Sequence, residues 1–291
     1  MLEDARIDLG LRPHFDFWQT TRFKISLDRP KIMGILNATP DSFAQSHDSL
    51  SLTQTLKVAE RLLSEGADIL DIGGESTRPG STPVTHAQEW VRIEPILQEI
   101  LNWQVPISVD TYHPETMRRA LDMGVDIIND VFGLRVGDAL DIVAGYACGI
   151  CLMHMHGEPL SMQQHPLTGN VVEKVTDFFS SRLQCTDAAL VARQRLVLDP
   201  GIGFGKTVEQ NFKLLNHQDQ LSCFELPLLV GWSRKSSLGA VTGLPVADRV
   251  IPSVVAALIS VQNGASIVRV HDVAATFQAL QIWNATTKQV D

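Results

Sequence analysis

No stretch of this chain approaches the ~18 consecutive apolar residues of a membrane-crossing helix. Residues 1–28 mix Asp, Glu and Arg with polar side chains instead of carrying the apolar core of a secretion signal. A cytosolic protein is the expectation. Positive charge is scarce: 24 Lys and Arg stand against 33 Asp and Glu, a formal net charge of -9. That balance argues against a nucleic-acid or anionic-membrane surface, while leaving room for a local basic pocket that takes a phosphorylated small molecule. Cysteine is sparse too, with four in 291 residues (Cys148, Cys151, Cys185, Cys223). In a chain without a secretion signal these read as reduced, buried, small apolar side chains. Cys148 and Cys151 form a C-x-x-C, but Cys151 opens an apolar run and no helix N-terminus follows to activate a thiolate, so the redox reading is weak. Low-complexity tracts and linkers are missing, and α/β barrels run ~250 residues as one domain, so a single domain is expected.

What is present is a regular alternation. With 44% hydrophobic and 20% charged residues the chain can bury a large core. Short apolar runs at residues 31–36, 68–72, 106–109, 125–128, 149–153, 196–198, 227–230 and 266–270 read as eight strands. Helical patterns separate and follow them at 53–65, 86–101, 114–123, 138–147, 171–191, 208–216, 248–263 and 273–285. Apolar strands divided by helices mean a parallel sheet covered on both faces, and eight such units favour an α/β TIM barrel over an open sheet. Gly66, Gly124 and Gly264 each close a helix just before a strand. The barrel is expected over residues 31–291. Residues 1–30, with Phe15, Phe17, Trp18 and Phe23, read as an extension that caps its bottom.

Polar, Gly and Pro residues collect after every strand, at 37–43, 73–80, 110–111, 129–130, 154–157, 199–206, 231–236 and 271–272. In barrel enzymes that end carries the chemistry. A lone strand-end Asp serves as a helix N-cap as readily as in a site. Asp110, Asn129 and Asp199 together beside Lys235 fit instead a ligand with several N–H donors and one carbonyl, because unpaired buried carboxylates are costly. A 2-amino-4-oxopyrimidine ring has that edge. Arg269 and His271 alternate along the last strand, so both face one way and suit a phosphate clamp; a surface Arg with a capping His is the alternative. Asn37 offers the kind of hard neutral oxygen that Mg²⁺ accepts when a diphosphate and waters supply the rest. Residues 200–207 end like a P-loop, but Pro200 stands where glycine is required, so a glycine-rich turn letting backbone approach a flat ligand under Phe204 is the better reading. His154, His156 and His165 with Cys151 lack zinc-site spacing; Met153 and His154 read as pocket lining.

The residues quoted above carry a resemblance. Residues 35–43 read I-L-N-A-T-P-D-S-F, 71–80 D-I-G-G-E-S-T-R-P-G, 108–111 S-V-D-T, 128–130 I-N-D, 199–206 D-P-G-I-G-F-G-K, 233–236 S-R-K-S and 269–272 R-V-H-D. Over residues 31–273 the chain resembles the dihydropteroate synthases, a pterin-binding TIM-barrel family. The resemblance implies a cytoplasmic homodimeric transferase of folate biosynthesis, a sulfonamide target, which couples 7,8-dihydropterin-6-ylmethyl diphosphate to 4-aminobenzoate with Mg²⁺ and releases diphosphate. It further implies that Asp110, Asn129, Asp199 and Lys235 hold the pterin, with Met153 and Gly203 beside it. Asn37, Arg269 and His271 would hold the diphosphate and Mg²⁺. Thr77, Arg78 and Pro79 would form the 4-aminobenzoate pocket with Phe204 and Ser236, and Asp41 and Phe43 would belong to a mobile first loop. Asp41, Phe43, Arg78 and Lys235 are then the expected catalytic residues. The chain departs from the family pattern at Ala44-Gln45-Ser46-His47, where a Ser-Asp-Gly-Gly type turn is usual, at His156 for Gln and at Ala38 for Val. Two alternatives stay open: a homologue that binds pterin with impaired turnover, and the pterin-binding domain of a corrinoid methyltransferase.

Overall fold

A computed structural model describes residues 16–38, 52–76 and 80–287. It opens on a hairpin, β1 (Phe17–Gln19) and β2 (Lys24–Ser26), with Trp18 opposite Ile25. Eight parallel strands follow: β3 (Lys31–Asn37), β4 (Ile69–Gly73), β5 (Ile107–Asp110), β6 (Ile127–Asp130), β7 (Gly149–Met153), β8 (Leu196–Asp199), β9 (Leu228–Val230) and β10 (Ala265–Val270). Each pairs with the next, and β10 closes on β3 with Val268 opposite Ile32, so the sheet is a closed eight-stranded α/β barrel. The helices are α1 (Leu52–Ser64), α2 (His86–Ile100), α3 (Pro114–Asp122), α4 (Ala139–Ala144), α5 (Val171–Ala188), α6 (Val208–Asn216), α7 (Ser236–Thr242), α8 (Val250–Gln262) and α9 (Val273–Thr287). Helices α2 and α6 start at capping boxes, Thr85 with Gln88 and Thr207 with Gln210, which satisfy backbone N–H groups the first turn leaves open.

Boundaries differ from the sequence reading where polar residues continue a ladder. Asp110, Asn129 and Asp199 lie within their strands, with Asp110 opposite Asn129 and Asp199 opposite Met153. Strand β6 starts two residues later than expected, because Asp126 turns its carboxylate to the Ile107 N–H (2.9 Å) and to Arg22 (2.6 Å). Helix α7 was not anticipated. Its Gly239 is a poor helix former, kept where any side chain would strike the Arg249 guanidinium.

Period-two alternation builds the barrel interior in layers. Met33, Ile69, Ile127, Cys151, Val197, Leu229 and Ile267 pack together as an apolar layer with Trp18. Two residues further along the same strands stand Ile35, Asp71, Asn129, Met153, Asp199, Gly231 and Arg269, and the interior becomes polar. The hairpin closes the N-terminal end of the barrel. Trp18 is fully buried and donates from Nε1 to the Arg195 carbonyl (2.8 Å), just ahead of β8. Thr21 reaches the Val125 carbonyl (2.9 Å), ahead of β6, and Arg22 that of Val105 (3.2 Å), ahead of β5.

All four cysteines are free thiols; Cys148 and Cys151 are buried, but Cys185 is only partly so and Cys223 is exposed, which corrects the expectation that all are buried. Cys148 packs outside the barrel and Cys151 inside it, as residues three apart around a strand must.

Replacing Trp18 by Ala removes a plug that nothing else fills, so the loss should be ~3–5 kcal/mol. Urea unfolding measures it; a loss below ~1 kcal/mol would mean that the hairpin adds little to the barrel's stability.

Candidate active site

At the C-terminal end of the strands lies a cavity of about 530 Å³. Of the residues expected in the site, Asn37, Asp110, Asn129, Met153, Asp199, Gly203, Phe204, Lys235, Ser236, Arg269 and His271 all line it. Asp41, Phe43, Thr77, Arg78 and Pro79, and the departure at residues 44–47, lie outside the described residues.

The electrostatic centre is a buried chain of polar groups. Arg269 donates from Nε to Asp71 Oδ2 (2.6 Å) and from Nη2 to Asp110 Oδ2 (2.6 Å). Asn129 Nδ2 donates to the same Asp71 oxygen (3.3 Å). The fork that the sequence reading assigned to an anion is therefore already shared with two carboxylates. Burial works against the Arg269 charge, yet Asp71 and Asp110 hold its pKa above the ordinary value. Burial pushes Asp110 up to about 7, with Arg269 pulling it down and Asp71 and Glu89 pushing it further up. Its Oδ1 is buried without a partner among the described residues, an acceptor open to an incoming donor. Asp199 is raised by burial as well, against the Gly201 N–H bonded to its Oδ1 (2.7 Å) and the charge of Lys235.

Loops bring the cations to this centre. Lys235 Nζ lies 4.2 Å from the centre of the Phe204 ring, a cation–π contact on the cavity wall. It stands at the N-cap of α7, where Arg234 pairs with Asp272 through two nitrogens (2.6 and 3.0 Å) and Arg249 holds the Arg234 carbonyl (3.2 Å). His271 Nδ1 meets Ser233 Oγ at 2.9 Å.

The glycine-rich turn is tighter than the ligand-facing turn expected. A side chain on Gly201 would strike the His154 carbonyl, and one on Gly205 the His156 carbonyl, so these two glycines let loop pack on loop. Gly203 faces the Lys235 side chain across the cavity wall. Lys206 fastens the turn: fully buried, it donates to the carbonyls of Gly201 (2.8 Å), Phe204 (3.1 Å) and His154 (3.3 Å). Burial lowers its ammonium to about 7, although Asp199 pulls upward. His154 does not line the cavity; it sits edge-on to Phe178 with ring centres 4.9 Å apart, and burial pushes it down to about 2. It follows Met153, so it takes the opposite face of β7.

Sequence reasoning assigned no role to Asp71, Lys206 or Glu75. Asp71 had a signal, an acid inside an apolar strand and in phase with inward Ile69. Glu75 accepts from Tyr112 Oη (2.9 Å) and meets His113 Nε2 (3.0 Å), which ties the end of β4 to the end of β5.

A TIM barrel whose C-terminal mouth gathers acids and a guanidinium from its strands and further cations from the loops above them has the layout of an enzyme active site. A family model described as pterin binding enzyme matches residues 33–271. The chain is 50% identical to a dihydropteroate synthase of Neisseria meningitidis over 92% of its length and 96% of that relative's, and 40% identical to that of Escherichia coli over 90% and 93%. Among solved structures, the Yersinia pestis dihydropteroate synthase in a sulfonamide drug complex superposes with a TM-score of 0.89 at 41% identity, covering 94% of this chain and 99% of that one. The Burkholderia cenocepacia enzyme complexed with 7,8-dihydropteroate gives 0.85 at 46% identity, covering 94% and 97%. The chain belongs to the dihydropteroate synthase family.

The position of Asp110 near neutrality has a measurable consequence. As the pH falls from 8 to 6 its carboxylate takes up a proton and loses acceptor strength, so the affinity for a bare dihydropterin should drop roughly tenfold. Calorimetric titration across that range checks it; an equal drop in Asp110→Asn would assign the titration to another group.

Proposed function

We propose that this chain joins 7,8-dihydropterin-6-ylmethyl diphosphate to 4-aminobenzoate, giving 7,8-dihydropteroate and diphosphate in folate biosynthesis. The observation that carries this reading is a single cavity where Asp110, Asn129 and Asp199 meet Lys235, Arg269 and His271. The acids and the amide accept the N–H groups of the pterin, Lys235 donates to the ring, and Met153 gives it an apolar contact. Arg269 and His271 take the diphosphate; Phe204 and Ser236 face the arylamine. Asp41, Phe43, Thr77, Arg78 and Pro79 complete that second pocket in this reading. The bond from the pterin methylene carbon to diphosphate oxygen breaks with its electron pair on the leaving group, and the arylamine nitrogen bonds to the carbon and releases a proton. Preorganised cations stabilise the departing anion, while nearby carboxylates tolerate the positive charge that develops on the pterin. Synthases at 40 and 50% identity over about nine-tenths of the chain support this activity over a methyltransferase domain. A solved relative from Xanthomonas albilineans is described with 4-aminobenzoic acid, which supports that second substrate here.

The residues fit Mg²⁺ carried in with the substrate. Among the described residues no group of three His, Cys, Asp or Glu could hold a metal by itself, whereas Asn37 puts one hard amide oxygen on the cavity wall. Asn37 would be its protein ligand, and the bound ion would neutralise the leaving diphosphate.

We place the enzyme in the cytoplasm as a homodimer. No described helix is long and apolar enough to cross a membrane. Ile251, Val255 and Ile259 recur every fourth residue along α8 and stay exposed, 76% for Ile251, with Val241 and Ile282 exposed on the neighbouring helices. A contiguous apolar stripe suits a self-complementary contact.

Lys235→Met keeps most of the side-chain volume but not the charge, and should lower kcat/KM for the pterin diphosphate by ~1.5–3 kcal/mol, roughly ten- to a hundredfold. Assay of pteroate formation with Mg²⁺ tests both points: no product from the wild type would refute the function, and an unaltered variant would remove Lys235 from the site. Ile251→Asp combined with Val255→Asp should sediment as a monomer; a dimer would place the interface elsewhere.

A further inference from the structure

Asp71 is fully buried in the middle of β4, in the same layer as the cavity-lining Asn129 and Arg269, and none of the roles above requires it. Its Oδ2 accepts from Arg269 Nε at 2.6 Å and from Asn129 Nδ2 at 3.3 Å. One carboxylate thus holds a residue from the anion end of the cavity and a residue from the pterin end. Arg269 extends the chain, since its Nη2 reaches Asp110 on the pterin side at 2.6 Å. The order Asn129, Asp71, Arg269, Asp110 is a continuous run of charge-assisted contacts with one cation between two anions.

We propose that Asp71 is a positioning residue for the pterin diphosphate, and that through it and Arg269 the pterin end and the diphosphate end of the cavity bind cooperatively. This rests on the function proposed above. The coupling follows from competition for one guanidinium. Without ligand, Arg269 spends Nε on Asp71 and Nη2 on Asp110. Diphosphate oxygens draw on the same guanidinium, and whatever they take from Asp110 returns acceptor capacity to that carboxylate for pterin N–H groups. In the other direction, N–H donors arriving at Asp110 reduce its demand on Arg269 and free Nη2 for phosphate. Asp71 keeps the guanidinium anchored through Nε, so the exchange occurs at one end of a fixed plane. It orients Asn129 from the same oxygen, so loss of its charge disturbs both ends together. The unpartnered Asp110 Oδ1 means that this carboxylate can begin to accept ring donors before Arg269 lets go.

The test uses the intact enzyme, 6-hydroxymethyl-7,8-dihydropterin and inorganic pyrophosphate with Mg²⁺, titrated by calorimetry singly and together. In the wild type each ligand should tighten the other by the same factor, roughly fivefold or more, because coupling between binding sites is reciprocal. In Asp71→Asn both affinities should weaken several-fold and the factor should fall towards one. Steady-state kinetics of that variant should show a raised KM for pterin diphosphate and an unchanged KM for 4-aminobenzoate. A purely structural Asp71 would lower stability and leave the coupling factor intact. If Asp71→Asn does not fold, the wild-type pair still decides: binding of both ligands with a coupling below about twofold overturns this proposal alone. Failure of either ligand to bind at all overturns it together with the proposed function.

Discussion

Arg269 sits inside the barrel with Nε on Asp71 and Nη2 on Asp110, each 2.6 Å away, where partial burial weakens the screening of the charges by water. Removing one member of such a buried set leaves an uncompensated charge, a loss of ~3–5 kcal/mol, so the three residues constrain one another's identity. Their placement depends on what lies below. The apolar layer from Met33 to Ile267, stoppered by Trp18, gives the ion pairs a dry floor. The polar layer can be only as low as the apolar layer is tight, and that puts the cavity at the C-terminal mouth.

Above the floor, the glycine-rich turn after β8 is fixed by a buried ammonium. Lys206 satisfies three carbonyls at once, and none of its three bonds goes to a carboxylate. Glycines at 201 and 205 let that turn lie against the backbone after β7. The arrangement holds Phe204 where the Lys235 ammonium meets its ring. On the other side, the Arg234–Asp272 pair and Arg249 fix the backbone that presents Lys235. Both walls of the pocket are thus held by cations whose own partners are protein atoms.

The strands were legible because aliphatic runs of period two mark buried parallel sheet, and the same period put Arg269 and His271 on one face. The eleven described residues singled out for the site do converge, since strand order in a closed barrel brings every C-terminal tip to one mouth. What sequence could not supply is which charge meets which across the interior. Asp71 and Arg269 are 198 positions apart and meet only because β10 closes on β3 and β4 lies beyond it. Helix α7 was missed because its signals are weak, a short run with an internal glycine whose reason is the distant Arg249. Glycines 201 and 205 looked ligand-facing because sequence shows that a backbone can come close, but not what comes close to it. His154 was misplaced by one step of the alternation that placed Met153 correctly.

Carboxylates outnumber their partners in the polar layer. Asp71, Asp110 and Asp199 face Arg269 and Lys235, while Lys206 is occupied by carbonyls. Burial offsets the excess by raising the pKa of Asp110 and Asp199. A ligand that carries N–H donors at one end and negative charge at the other relieves both sides of this imbalance. The donors supply what the carboxylates lack, and the anion engages guanidinium and ammonium groups otherwise spent on those carboxylates. A bare pterin or a bare diphosphate answers one demand only. Under the proposed function, recognition of the joined molecule lies in the pairing of these two demands inside a single polar layer.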